Sequence, residues 1–236
     1  GAVQGRVPAL GDRKPLVVAS MFGVTTPAVT VARERLEELG YEVLVFHQTG
    51  AGGGSMEALL EAGYIAGALD VTTTELCDEL VGGVFPAVPR RLESAGAAGI
   101  PQVVSVGALD MVNFGPRETV PERFRDRTLY VHNPTVTLMR TTPDECRQLG
   151  ERLAAKLNAA TGPTALFLPL RGVSMIDVEG QPFHDPEADE ALFEALRRSI
   201  DRSRVELHEL DTDINDPAFA LALANRLHEL IEEASS

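Results

Sequence analysis

The chain has 236 residues, is 44% apolar and carries a formal net charge of −14. Enough apolar surface to build a core excludes a disordered chain, and the acidic balance, with a sequence pI near 4.8, argues against nucleic acid as a partner. No apolar run reaches membrane-spanning length and the N-terminus lacks a signal-peptide pattern, so a cytoplasmic location with no membrane partner is expected.

Residues 1–13 mix Gly, Pro and charged residues without a start methionine and read as an interdomain linker remnant. From residue 14 onward, strand-like and helix-like stretches alternate. A strand at 16–19 precedes Thr26-Pro27, an N-cap followed by proline at the first helical position, and a helix that Gly40 stops. A second strand, 42–46, leads through a glycine run to a helix at 55–62. The third strand, 65–69, ends at Asp70, and Thr72 with Glu75 reads as a capping box opening a helix through Leu80. Residues 82–99 read as an irregular excursion or a short helix, 102–106 as a strand, and 110–127 as a long loop of the kind that is functional or contacts another subunit. A strand at 129–131 follows. The segment from Asn133 to Arg140 reads as a shaped loop because Pro134 interrupts it, and Thr142 to Glu145 caps a helix ending near Ala160. Strands at 164–168 and 205–208 each precede a helix, opened by Asp185-Pro186 and Asp216-Pro217. This alternation predicts a Rossmann-like, doubly wound α/β domain over 14–236: one mainly parallel sheet of about seven strands with helices on both faces.

In such sheets ligands bind beyond the carboxyl ends of the strands, where strand order reverses. Those ends carry Thr25 and Thr26; His47 and Thr49; Asp70, Thr72, Thr73, Thr74 and Glu75; Asn113; His132, Asn133 and Arg140; Arg171 and Ser174. The most informative stretch is 42–57. There an apolar strand breaks into Gly50, Gly52, Gly53 and Gly54, and Ser55 opens the next helix. Strand, glycine loop and helix start present backbone N–H groups to an anion, and glycine permits the close approach. The loop is no P-loop, because no Lys follows, and it matches the dinucleotide fingerprint only in part, with Ser55 where a third glycine belongs. A plain anion site and a tight turn without ligand both stay open. With only Lys14 and Lys156 in the chain, Schiff-base chemistry is disfavoured and arginine would carry side-chain anion recognition, Arg140 and Arg171 being placed for it. His47, Glu75 and His132 are the acid–base candidates. No metal spacing is present, and Cys77 and Cys146 read as buried thiols.

Six segments in order, PLVVASMFGVTTPAV, FHQTGAGGGSMEAL, DVTTTEL, GALDMVNFGP, VHNPTVTLMRTT and PFHDPEADEALFEAL, resemble the C-terminal domain of an uncharacterised two-domain family. That family is related to the ATP-binding N-terminal region of the tomato mosaic virus resistance protein. The resemblance spans about residues 14–232. It implies a Rossmann-like domain, self-association into a homo-oligomer, and a further α/β domain upstream as a partner, with ATP or another nucleotide as a cofactor of the longer protein. Its nucleotide contacts are assigned mainly to that upstream domain.

Three functions follow as expectations. The first is recognition of a small phosphate- or carboxylate-bearing molecule, nucleotide-like or not, at the glycine loop. The second is a hydrolase or lyase acting on a small carboxylate or phosphate ester, and the third an oligomerisation module.

Overall fold

The computed structural model describes residues 14–235; the expected linker remnant at 1–13 and Ser236 lie outside the described residues. The chain runs β1 (Leu16–Met21), α1 (Thr26–Glu38), β2 (Glu42–His47), α2 (Ala51–Glu61), β3 (Ile65–Thr72), α3 (Glu75–Val81), α4 (Ser94–Ala97), β4 (Gln102–Gly107) and β5 (Met111–Phe114). It continues through β6 (Leu129–Asn133), β7 (Val136–Arg140), α5 (Pro143–Asn158), β8 (Thr164–Pro169), α6 (Pro186–Ser199), β9 (Val205–Leu210) and α7 (Pro217–Ser235).

Six strands form one parallel sheet in the order β2-β1-β3-β4-β8-β9. The chain leaves β1 for β2 on one side and then crosses to β3 on the other, so strand order reverses between β1 and β3. Side-chain alternation along the strands sends apolar residues to both faces. Val17 and Ala19 join a cluster with Leu36 of α1 and Leu223 and Leu227 of α7, whereas Val18 packs with Met56 and Leu60 of α2. Farther along the sheet Val104 and Leu166 meet Leu149 and Leu153 of α5 and Leu192 of α6. Among the described residues no helix is long and apolar enough to cross a membrane.

The architecture is the expected doubly wound α/β sheet, and several local expectations are corrected. The strand expected at 129–131 leaves the parallel sheet. As β6 it joins β5 and β7 in a three-stranded antiparallel sheet of order β5-β7-β6. The long loop expected at 110–127 contains β5, a strand of four residues entered through Ala108 at φ +58°. Pro134 does not break a strand but occupies the turn between β6 and β7, where no ladder N–H is required. The helix expected to start at Ser55 starts at Ala51, so the glycines form its first turn. Glycine disfavours helix in general, but here missing side chains are the condition of fit: a Cβ on Gly52 would stand 1.7 Å from the His47 carbonyl oxygen. The capping box at Thr72 and Glu75 is absent. β3 runs through Thr72, α3 begins after Thr74, and the Glu75 side chain turns to other partners. The box at Thr142 and Glu145 is present, with bonds of 3.2 and 2.8 Å.

Candidate functional site

The crevice at the strand reversal is filled by a buried charge network. Arg91 is fully buried and reaches it from the irregular segment before α4. Its guanidinium holds both oxygens of Asp70, donates to Glu75 Oε2 at 2.8 Å and to Glu57 Oε1 at 3.3 Å, and reaches the Thr72 carbonyl at 3.0 Å. Ser20 donates to Asp70 Oδ1 at 2.6 Å and accepts from the Thr72 amide, tying the ends of β1 and β3 together. Thr25 Oγ1 and Thr72 Oγ1 lie 2.7 Å apart. Burial holds the Glu75 carboxyl above its ordinary range, against the opposing pull of Arg91 and of the Gly50 amide.

That last contact changes the reading of the glycine loop. Gly50 N–H donates to Glu75 Oε1 at 2.6 Å, and a Cβ on Gly53 would stand 2.2 Å from Glu75 Oε2. The amides of Thr49, Ala51 and Gly54 donate to the carbonyls of His47, Thr49 and Gly50. The start of α2 therefore does receive a carboxylate, as helix-dipole electrostatics favour, but the carboxylate belongs to the chain itself. Gln48 Oε1 accepts from Arg91 at 3.2 Å, which turns residue 48 inward.

Its neighbours His47 and Thr49 face outward into a cleft of about 250 Å³. Phe22, Gly23 and Val24 after β1 form one wall, the β6–β7 hairpin supplies His132, Asn133, Val136 and Leu138, and Phe85 closes a side. None of these lining residues is acidic, in a chain with 35 Asp and Glu, and none is Arg or Lys. Asp78 on α3 fixes the Phe85 side. Its carboxylate accepts from the Phe85 amide at 2.8 Å and from the Asn113 amide at 2.7 Å. Asn113 pairs with Leu138 across the small sheet, and its buried Oδ1 has no hydrogen-bond partner.

Burial pushes the Asp78 carboxyl up to about 6. A carboxyl raised in the folded state binds its proton more readily there than in the unfolded chain. Stability is then greatest below the unfolded value of 3.8 and declines as pH rises through about 6. Asp78→Asn is expected to flatten the stability profile between pH 4 and 7 by on the order of 2 kcal/mol. Chemical denaturation at stepped pH measures this, and an unchanged slope would contradict it.

Of the other predicted site residues, Thr73 and Thr74 are buried beside the network, and Thr26 donates to the Phe22 carbonyl at 3.1 Å. Ser55 turns back to the Ala51 carbonyl at 2.9 Å on the exposed side of α2. Arg140 lies apart from the cleft network, buried against Asp177 and Asp189 at 3.1 and 2.6 Å. Burial and the neighbouring aspartates push the Asp177 carboxyl above its ordinary range, against the pull of Arg140. Ser174 donates to Asp110 at 2.7 Å. Arg171 is exposed and pairs with Asp211 at 2.6 Å, so its guanidinium already holds a carboxylate. A second cavity, about 370 Å³, lies at the end of β8 and includes Arg171, His184, Glu179, Asp189 and Glu190. It stands away from the strand reversal and three carboxylates line it. Among the described residues no group of three or more His, Cys, Asp or Glu is placed to hold a metal.

The structure thus brings His47, Thr49, His132 and Asn133 together in one cleft, with Glu75 beneath it rather than in it. Sequence reasoning missed Arg91, Gln48, Glu57, Phe22 and Phe85. Arg91 follows Arg90 in a Gly/Pro/Ala-rich stretch, and nothing local separates the buried guanidinium from its solvated neighbour. Phe22 and Phe85 carry no periodic signal because both sit in loops.

A family profile described as "Uncharacterised protein family (UPF0261) C-terminal domain" matches residues 14–231. A UPF0261 protein of Clostridium tetani (strain Massachusetts / E88) is 56% identical over 99% of this chain and 58% of its own length. The ToMV resistance protein Tm-1(GCR237) of Solanum lycopersicum is 44% identical over 98% of this chain and 31% of its own length. The chain therefore spans little more than half of the clostridial relative and under a third of the tomato one. Among solved structures, the esterase domain of a Rhodothermus marinus protein aligns over 92% of this chain and 84% of its own, with 18% identity and a TM-score of 0.42.

Proposed function

The chain belongs to the UPF0261 C-terminal domain family, and on that premise we propose that it is a ligand-binding α/β domain whose cleft takes a small anionic molecule. One observation carries the reading: in a chain of net charge −14, the cleft beside the strand reversal is lined by two of the five histidines and by no carboxylate. With no like charge on its walls and imidazole, hydroxyl and amide donors present, the cleft suits a carboxylate- or phosphate-bearing guest. The glycine loop adjoins this site through Thr49, which lines it. Its first turn is neutralised by Glu75, and the tie between Arg91 and Gln48 aims His47 and Thr49 outward.

The hydrolase or lyase reading needed Glu75 in the same pocket as His47 and His132. Glu75 is fully buried and bonded to Arg91 and Gly50, so any acid–base chemistry here rests on the two imidazoles. Nucleotide binding, self-association and the upstream domain implied by the resemblance are assigned to no residue of this cleft.

Thermal-shift screening of the chain against carboxylate and phosphate metabolites tests the proposal. A ligand at 100 times its Kd adds about 2.7 kcal/mol of stability, and the response is expected to vanish in the His47→Ala/His132→Ala variant. A panel that leaves the melting temperature unmoved, or an equal response in the variant, would overturn the proposal.

A further inference from the structure

We infer that the cleft takes a small monocarboxylate with an apolar, ring-sized body, and not a nucleotide or another phosphate ester; this rests on the reading of the cleft as the ligand site. The argument starts from charge. Proteins hold phosphate with guanidinium or ammonium groups, or with free amides at a helix start. No Arg or Lys lines the cleft. Arg91 is fully buried and committed to Glu57, Asp70 and Glu75. The Gly50 amide is occupied by Glu75 at 2.6 Å. A phosphate of nearly two negative charges would thus enter an apolar-walled cleft without a counter-charge, and desolvation of an unpaired charge is costly. A carboxylate has one charge and two oxygens. Imidazole N–H groups from His47 and His132 and the Thr49 hydroxyl are donors enough to satisfy it.

Shape and size agree. Phe22, Val24, Phe85, Val136 and Leu138 offer apolar walls from three separate segments, two of them aromatic. The volume, about 250 Å³, lies below the ~300–1,000 Å³ of pockets that enclose drug-sized ligands. A short branched or aromatic acid fits that space.

The test is a chemical-shift titration of the isotope-labelled chain with phenylacetate, benzoate and isovalerate, set against phenyl phosphate, ADP and the neutral phenylacetamide. At least one carboxylate is expected to move the His47, His132, Phe85 and Leu138 signals. It is expected to bind at least about tenfold more tightly than phenyl phosphate, ADP or the amide. The His47→Ala/His132→Ala variant is expected to lose those shifts. Both imidazoles are exposed, so the variant should keep the parent melting temperature. Equal or tighter binding of phenyl phosphate or ADP at these residues overturns the monocarboxylate class and leaves the cleft as an anion site. Equal binding of phenylacetamide overturns the need for charge. If none of the compounds moves these signals, the monocarboxylate inference falls, while the proposed function stands or falls separately on the thermal-shift screen.

Discussion

Arg91→Met is expected to lose about 3–5 kcal/mol of stability, the usual cost of removing one partner from a buried ion pair. Methionine keeps much of the side-chain volume, so the loss is electrostatic rather than a cavity effect. The wild-type guanidinium is fully buried and faces Glu57, Asp70 and Glu75, none of which has a side chain more than 5% exposed. Without it the three carboxylates keep their hydrogen bonds to Ser20 and to the amides of Gly50, Leu92 and Ser94, but no counter-charge. A pH signature follows. Burial already holds Glu75 above its ordinary range, and Arg91 is the largest influence pulling it back. Removing Arg91 raises it further. A carboxyl raised in the folded state gives stability that is present at low pH and lost as pH rises through the folded value. The deficit of the variant should therefore be larger at pH 8 than at pH 5. Urea denaturation at the two pH values measures both effects, with an unchanged slope reporting an unchanged native fold. The control is Arg147→Met, whose partners Asp144 and Glu151 are exposed, with an expected change within about 0.5 kcal/mol. A deficit below about 1 kcal/mol for Arg91→Met, or one independent of pH, contradicts the role given to the network.

The layers of this fold were legible because apolar periodicity is a local signal. The runs at 16–21, 102–107 and 164–169 are mostly apolar, as strands buried on both faces should be. The amphipathic helices α5 and α6 announce themselves with Thr142-Pro143 and Asp185-Pro186, and the structure shows both caps. The small antiparallel sheet was not legible. β5 has four residues, and which sheet a short strand joins is settled by tertiary contact. The site was legible in its placement and misread in its partner. The glycine run does set a helix start beside the strand reversal, but the anion that occupies it comes from Glu75, 25 residues downstream. In the sequence Glu75 stands three residues after Thr72, which matches a capping box, and no local pattern separates that use from an ion pair with Arg91. Arg140 shows the same blindness: a guanidinium at a strand end reads as ligand recognition, while the fold spends it on Asp177 and Asp189.

The glycine run can be resolved position by position, since its members differ in what lies where a side chain would be. Gly52→Ala places a methyl group 1.7 Å from the His47 carbonyl oxygen, a backbone atom that cannot turn aside. Either α2 lifts off β2 or the β2–α2 bend deforms, and overpacking of this kind costs ~1–3 kcal/mol, with rigid neighbours at the upper end or beyond. Gly54→Ala meets only Val88 Cγ1 at 3.2 Å, the end of a side chain that can yield. Position 54 is helical, where alanine gains roughly 0.5–1 kcal/mol over glycine. Gly54→Ala is thus expected to be neutral or slightly stabilising, and Gly52→Ala to be at least 2–3 kcal/mol worse than it. The two changes are chemically identical and two residues apart, so propensity cancels and steric approach remains. Because Gly52 rests on His47, its variant should also displace the imidazole and weaken any ligand response more than Gly54→Ala does. Denaturation midpoints and the His47 side-chain resonance measure the contrast. Were the glycines present only to let an external anion reach the amides of the loop, Gly54→Ala would impair ligand response as much as Gly52→Ala, with little difference in stability between them. The distances favour the opposite ranking, in which Gly52 is required by the close seat of α2 on the end of β2.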